Sequence, residues 1–214
     1  MEPVVLTTDR LLLRTVGPAD TDAVYAAAQD PDIQRWTTVP SPYLYEHARG
    51  FVERQVPDGW ADGSMCTFGL FLRHGDLHHG ELPHEEPPHG EPPHEDLPHG
   101  ELTGMLGVTM RSLGTAEIGF WAVKEHRGNG YVAEAAGAVA RWTFTRLGVD
   151  RLEWRAEVGN RASRAVAERA GFTVEGTLRA ALNNKGVLRD CWVGSLLPSD
   201  LNLASTAPYL PARG

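Results

Sequence analysis

Hydrophobic positions repeat along this chain with two different spacings, which predict strands and helices in alternation. Residues 131–147 place apolar side chains three or four positions apart, the period of an α-helix. Residues 151–158 alternate strictly, so that Leu152 and Trp154 share one face and charged residues occupy the other, as in a strand. This pattern predicts a single α/β domain. It places strands at Leu11–Arg14, Thr67–Leu72, Leu102–Met110, Ala116–Val123, Arg151–Val158, Phe172–Thr177 and Leu188–Leu196, and helices at 18–28, 46–55, 131–147 and 160–170.

Local signals mark where these helices begin and end. Asp20 is predicted to cap the first helix and Asp30-Pro31 to end it. Pro57 is expected to end the second helix, because proline lacks the N–H that a helix interior needs. Gly148 is predicted to end the long helix and Asn160 to cap the last one.

Residues 74–101 interrupt the domain with a pentad repeat that starts at His79. Prolines forbid helix and central strand there, so the segment is predicted to be disordered or loosely polyproline II, inserted in a hairpin loop. Residues 1–73 and 102–201 then form one domain, and 202–214 a C-terminal tail. Seven of the nine histidines lie in the insert. We interpret the insert as a repeat expansion in a surface loop, with a weak metal-binding tract as the alternative.

Charge and composition exclude several classes of protein. The net charge is −8, and the insert alone carries eight acids and no Lys or Arg, so the rest of the chain is balanced. A nucleic-acid partner is therefore not expected. No apolar stretch is long enough for a membrane helix, and the acidic N-terminus predicts no secretion signal. Cys66 and Cys191, far apart in sequence, fit buried thiols in a cytoplasmic protein.

A glycine-bearing turn between a buried strand and a helix is the strongest chemical signal. Residues 123–132 read Val-Lys-Glu-His-Arg-Gly-Asn-Gly-Tyr-Val. Glycines let backbone N–H groups approach a ligand, and a helix N-terminus attracts anions, so the turn predicts a phosphate cradle. It matches neither the nucleoside-triphosphate nor the dinucleotide motif. Ordinary turn chemistry is the alternative. His126 is expected to be a surface residue.

A second stretch, from Asn160 to Phe172, places Ser163 on the inward stripe of a short helix. Together, the two stretches resemble the GNAT superfamily of acetyl-CoA-dependent N-acetyltransferases, in its RimJ/RimL-type branch. That family's pyrophosphate pattern is Gln/Arg-x-x-Gly-x-Gly/Ala, and residues 127–132 follow it except at Val132, which is larger than expected. Residues 175–179 and 189–190 also match, and the resemblance covers about 6–201.

The resemblance implies a mixed central sheet flanked by helices, with the central strand Ala116–Val123 splayed from its neighbour. It implies acetyl-CoA as co-substrate, a primary amine as acceptor and no required metal. Ser163 would protonate the leaving thiolate, and Asn160 would bond the pantetheine arm. The implied cofactor contacts are Val123, Arg127, Gly128, Asn129, Gly130, Tyr131, Val132 and Asn160.

Three further residues are candidates around the acceptor. Glu117 and Glu157 are candidates for the base that removes a proton from the amine, or are solvated strand carboxylates. Trp36 either lines the amine pocket or packs in the core. The acceptor is expected to be a protein N-terminus or a small-molecule amine, and the protein a monomer or homodimer. The alternatives are a non-catalytic acyl-CoA-binding module, or a metal or interaction platform built on the insert.

Overall fold

A computed structural model describes residues 1–73, 100–111 and 114–211 of the chain. These residues form an eight-stranded sheet in the order β1-β2-β3-β4-β5-β6-β8-β7. Neighbouring strands are antiparallel except β5 and β6, which are parallel, so the sheet is mixed as expected. The strands are β1 Leu6–Thr7, β2 Leu11–Arg14, β3 Met65–Leu72, β4 Leu102–Met110, β5 Thr115–Ala122, β6 Arg151–Glu157, β7 Thr173–Asn184 and β8 Val187–Leu196.

Four helices lie between β2 and β3 in the described chain: α1 Thr21–Ala27, α2 Pro31–Trp36, α3 Tyr45–Gly50 and α4 Val56–Asp62. Helix α5, Tyr131–Arg146, connects β5 to β6, and α6, Arg161–Arg169, connects β6 to β7. Short 3₁₀ turns lie at Pro18–Asp20, Lys124–His126 and Pro198–Leu201. Within the described ranges, no helix has both the length and the apolar character needed to cross a membrane.

Two expectations about helix ends are wrong, and a third is incomplete. Pro57 does not end the second helix, because a π-helical turn at Phe51–Gln55 widens the backbone and α4 continues with the proline in its first turn. The first helix ends at Ala27, before Asp30-Pro31 as expected, but the same pair begins a helix that the sequence reading missed, with the Asp30 carboxylate accepting bonds from the N–H groups of Asp32 and Ile33. Asp20 makes no side-chain cap bond to α1; its carboxylate accepts the Gly17 N–H at 3.0 Å, before the 3₁₀ turn, and pairs with Arg14 at 2.8 Å.

The core lies where α4 and α5 meet β3. Trp60 of α4, Phe68 of β3 and Trp142 of α5 pack their rings at centroid distances of 5.2–5.9 Å. The Trp60 indole donates a hydrogen bond of 3.1 Å to the Thr67 carbonyl, which satisfies its one buried donor. The predicted apolar stripe of α5 is buried through Val132, Ala136, Val139 and Thr143. The longest predicted helix therefore supplies one wall of the core.

The two parallel strands at the centre of the sheet separate along their length. Thr115–Ile118 of β5 pair with Arg151–Trp154 of β6, and pairing stops there. The remainder of β5 stays paired with β4 as far as Ala122, and β6 stays paired with β8 as far as Glu157. A wedge-shaped gap therefore opens between the carboxyl ends of β5 and β6, as the expected splay requires.

The insert lies in the hairpin between β3 and β4, where the sequence placed it. The Leu72 N–H donates to the Glu101 carbonyl at 3.0 Å, so the two strands stay bonded at the base of the loop. The pentad repeat from His79 and its suggested metal tract lie outside the described residues. Residues 202–211 form neither helix nor strand, and Asp150 holds them through the Thr206 N–H at 2.7 Å.

Candidate functional site

The glycine turn of Arg127–Gly130 lies between β5 and the N-terminus of α5. Gly128 and Gly130 have φ of +83° and +79°, a conformation that residues with a Cβ rarely adopt. A Cβ placed on Gly128 would meet no atom within 4 Å, so the turn faces open space. The first N–H groups of any helix have no partner within it. A turn of this shape suits an anion at the start of the 16-residue helix α5.

Val132 does not obstruct this turn. Its side chain is only 6% exposed and belongs to the core cluster. The departure from the family pattern therefore adds volume to the core, and the backbone N–H is the group that Val132 offers to a ligand. Tyr131, next to it, carries the Arg10 guanidinium over its ring at 4.7 Å.

Arg10 braces the glycine turn, a role that the sequence reading missed. Its Nη1 donates to the Asn129 carbonyl at 3.0 Å, and its Nε donates to Glu134 of α5 at 2.7 Å. Thr8 also donates to Glu134. Burial raises the pKa of Glu134, but the bonds from Thr8 and Arg10 outweigh it and the pKa lies below its usual value. The turn between β1 and β2 thus holds the loop and the helix in one geometry.

Arg127 points away from the glycine turn. Its guanidinium pairs with Asp30 at 3.0 Å and Asp32 at 3.1 Å, both at the start of α2. Burial raises the pKa of Asp30, but the N–H groups of α2 and the Arg127 charge outweigh it, so the pKa is lowered. The side chain therefore ties the turn to α2. Only the backbone of Arg127 then remains for the expected contact with a cofactor.

Ser163 and Asn160 lie at the start of α6, beside β6. The Asn160 Oδ1 accepts the Ser163 N–H at 3.1 Å, which confirms the predicted cap. The Trp154 indole donates to the Ser163 Oγ at 3.0 Å. Because an indole only donates, the serine accepts here and its own proton is available to another group. Likewise, Asn160 has its amide N–H groups left for a ligand carbonyl.

The two candidate bases lie at opposite ends of the site. Glu117 is paired with Glu153 across β5 and β6, on the closed part of the sheet. Glu157 lies four residues beyond Glu153, about 13 Å along the strand. Glu117 bonds Arg111 at 2.8 Å and lies in a cleft of about 500 Å³ with Arg155. The structure therefore does not bring the two carboxylates together.

Glu157 is buried, so the alternative that it is a solvated strand carboxylate is wrong. It is 6% exposed, because α2 and the β7–β8 hairpin cover the end of β6. Arg35 binds both carboxylate oxygens, at 2.6 and 2.9 Å, and the Asn184 amide donates to one of them at 3.3 Å. The Arg35 bond, aided by Asn184, holds the Glu157 pKa below its usual value. Arg35 and Asn184 were not predicted from sequence, since they come from distant segments.

A cleft of about 410 Å³ lies over Glu157, between α2 and the β7–β8 hairpin. Lys185 in this hairpin donates to the carbonyls of Gln34 at 2.6 Å and Thr37 at 3.0 Å, which holds the hairpin against α2. Trp36 is half-buried, with its ring 3.7 Å from where a Cβ of Gly159 would lie. It thus lies at the end of β6, outside the buried core cluster.

Two other expectations concern single side chains. His126 is not a surface residue: its side chain is 13% exposed, and its Nε2 lies 3.0 Å from Glu101 at the base of the insert. Cys191 is fully buried, as predicted, and burial raises the pKa of its thiol. Among the described residues, no cluster of three His, Cys, Asp or Glu side chains could hold a metal ion.

Comparisons with known proteins agree with this arrangement. The profile of the acetyltransferase (GNAT) domain matches residues 10–173. The uncharacterized N-acetyltransferase p20 of Bacillus licheniformis is 26% identical over 194 residues, 90% of this chain and 95% of that protein. YdaF of Bacillus subtilis, described as a candidate ribosomal N-acetyltransferase, is 42% identical over 82 residues, 38% of this chain and 45% of its own length.

A solved structure shares the fold. Mycobacterium smegmatis RimJ, in complex with a CoA disulfide, superposes with a TM-score of 0.73 and 21% identity, over 95% of this chain and 93% of that one. At that identity the likeness concerns the fold.

Proposed function

Because the chain belongs to the GNAT acetyltransferase family, we propose that it is of the RimJ/RimL type and transfers the acetyl group of acetyl-CoA to the α-amine of a protein N-terminus. The observation that carries the proposal is the gap between β5 and β6. One side of the gap leads through Val123 into the glycine turn, and the other ends at Glu157 beneath the cleft. A donor and an acceptor entering from these two sides meet between the strands.

The cofactor is held by backbone groups in this proposal. The pyrophosphate lies on the N–H groups of the glycine turn and of the first turn of α5. The Val123 N–H is bonded to Thr103 of β4 at 2.9 Å, so strand alternation turns the N–H groups of Phe120 and Ala122 towards the gap. These donors suit the pantetheine arm and the thioester carbonyl, together with the Asn160 amide.

The reaction is a direct transfer. The amine nitrogen attacks the thioester carbonyl carbon, and the carbon–sulfur bond breaks as the carbonyl re-forms. The sulfur leaves as a thiolate and takes a proton from the Ser163 hydroxyl, and the serine oxygen regains a proton from solvent. The nitrogen loses one proton to solvent or to a carboxylate, and the Trp154 N–H steadies the serine oxygen as its proton leaves.

The state of the carboxylates favours an α-amine over a lysine side chain. Glu157 is ion-paired and has a lowered pKa, so it is a weak base, and Glu117 is ion-paired with Arg111 on the closed part of the sheet. An α-amine has a pKa of about 7.7–8.0 and is about half neutral near pH 8, whereas a lysine with a pKa of about 10.4 is about 0.4% neutral there. A site with little basicity acetylates the first far more readily.

The relatives point the same way. The description of YdaF names a ribosomal acceptor, which agrees with a protein N-terminus here. Both cysteines are free and buried, and burial raises the pKa of Cys66 to about 11, which fits the cytoplasmic location expected from the sequence.

The test has two stages on the full chain, with a chelator present to silence the histidines of the insert. Calorimetric titration should show one acetyl-CoA bound per chain. Release of free CoA is then followed with a peptide whose α-amine is free and with the same peptide blocked at that amine but carrying a lysine. We expect release only with the free α-amine. Binding without release from either peptide would favour a non-catalytic acyl-CoA-binding module.

A further inference from the structure

The cleft between α2 and the β7–β8 hairpin is positively charged. Arg35, Lys185 and Arg189 line it, and no carboxylate side chain among the described residues does so. The carboxylate beneath it, Glu157, is bonded through both oxygens to Arg35. Three cationic side chains are therefore matched by one carboxylate, which leaves two uncompensated positive charges in the cleft.

Among the described residues, neither of the two remaining cations has a carboxylate of its own, since Glu157 is bonded to Arg35. The hydrogen bonds of Lys185 go to the carbonyls of Gln34 and Thr37 and to the Asn184 amide oxygen, which carry no net charge. Arg189 is half-exposed, and its Nε lies 3.8 Å from Glu157, too far for a hydrogen bond.

Other carboxylates in this region are held away from the cleft. Asp190, the neighbour of Arg189 on β8, accepts the Ala180 N–H instead. Asp30 and Asp32 flank Pro31, which lines the cleft, but neither carboxylate lines it and Arg127 pairs with both.

We propose that this cleft selects acceptor peptides with acidic residues directly after the N-terminal residue. The inference rests on the proposed function, since the cleft lies beside the gap where the acceptor amine would react. An acidic side chain there would meet Lys185 and Arg189, whereas a basic one would be repelled. The interaction lies away from the reacting atoms and stabilises bound substrate and transition state equally. It therefore acts on KM and leaves kcat unchanged.

The expected effect is modest because the cations are partly exposed to water. A single ion pair of this kind changes affinity about threefold, so two acidic residues should lower KM about tenfold relative to neutral ones. The preference should shrink at high salt, where exposed charges are screened over a few ångströms.

The experiment compares three peptides with the same N-terminal residue and either acidic, neutral or basic residues at the next two positions. Wild type, Arg189→Gln and Arg189→Lys are assayed for CoA release with each peptide. Arg146→Gln, which removes the same charge from the exposed end of α5, is the matched control. We expect KM to rise from acidic to basic peptides in wild type, Arg189→Lys and the control, and Arg189→Gln to lose about threefold of the preference.

The outcomes separate the two proposals. Equal KM values for the three peptides, or an undiminished preference in Arg189→Gln, would overturn the acidic specificity and leave the acetyltransferase assignment standing. Faster turnover of a free acidic amino acid than of the acidic peptide would overturn the peptide acceptor. An absence of CoA release with every peptide would refute the proposed function itself.

Discussion

The glycine turn can be tested by adding one methyl group. Gly128→Ala places a Cβ at a residue with φ of +83°, in space that no atom of the described residues occupies. If that space receives the pyrophosphate, the methyl group obstructs it. Gly148→Ala is the matched control, because Gly148 also has a positive φ, of +63°, and equally open surroundings, but follows the other end of α5.

Both variants should lose similar amounts of stability. A left-handed conformation costs a residue with a Cβ about 1–2 kcal/mol, and the stiffer unfolded chain returns about 0.4–1 kcal/mol. The net loss is about 1 kcal/mol in each variant, or about 2–4 °C in Tm for a chain of this size. Acetyl-CoA affinity should separate them. Displacing the phosphates from the N–H groups should weaken binding by a factor of about ten or more in Gly128→Ala, which is about 1.4 kcal/mol.

Thermal unfolding and calorimetric titration of acetyl-CoA measure the two effects independently. We expect Gly128→Ala and Gly148→Ala to show matching Tm values, and only Gly128→Ala to lose affinity. If Gly128→Ala bound acetyl-CoA as tightly as Gly148→Ala, the turn would not be the phosphate site. The assignment of residues 127–132 to the cofactor would then fall.

Three further outcomes are expected. Ser163→Ala should lower kcat at least tenfold and leave the Kd for acetyl-CoA within about twofold, because the hydroxyl acts on the leaving thiolate; unchanged turnover would remove Ser163 from the mechanism. Glu157→Gln should lower turnover more than Glu117→Gln, since Glu157 lies at the open end of the gap; if neither substitution changes turnover, no carboxylate base is involved. Finally, the lowered pKa of Glu157 stabilises the fold above about pH 4.5, and this contribution is lost as pH falls through the folded-state pKa. Arg35→Gln should therefore destabilise the protein at pH 7 in denaturant unfolding, and by a decreasing amount as the pH is lowered below about 4.5.

Local signals in the chain were enough for the architecture and for the glycine turn to which we assign the cofactor. The 3.6-residue period of α5, the strict alternation of β6 and the glycines at positions 128 and 130 are each encoded within a dozen residues. The Asn160 cap and the buried Cys191 were predictable for the same reason. Interactions between near neighbours depend little on the rest of the molecule.

The acceptor side depends on contacts between segments that are far apart in the chain. Glu157 shares a strand face with charged residues, so a solvated carboxylate was one of its two possible roles, yet Arg35 and Asn184 reach it from 122 and 27 residues away. Arg127 was expected to face a phosphate, but two aspartates of a helix absent from the predicted pattern hold it.

The environment of a buried charge is set by whichever groups the fold packs against it. For Glu157 these groups are Arg35 and Asn184. The glycine turn is held in the same way by Arg10, which donates to the Asn129 carbonyl from 119 residues away. The sequence pattern alone places the Glu157 carboxylate on a strand. Its burial, its pKa and the charge of the cleft above it emerge only when α2 and the β7–β8 hairpin close over the end of β6, since desolvation and ion pairing act through space.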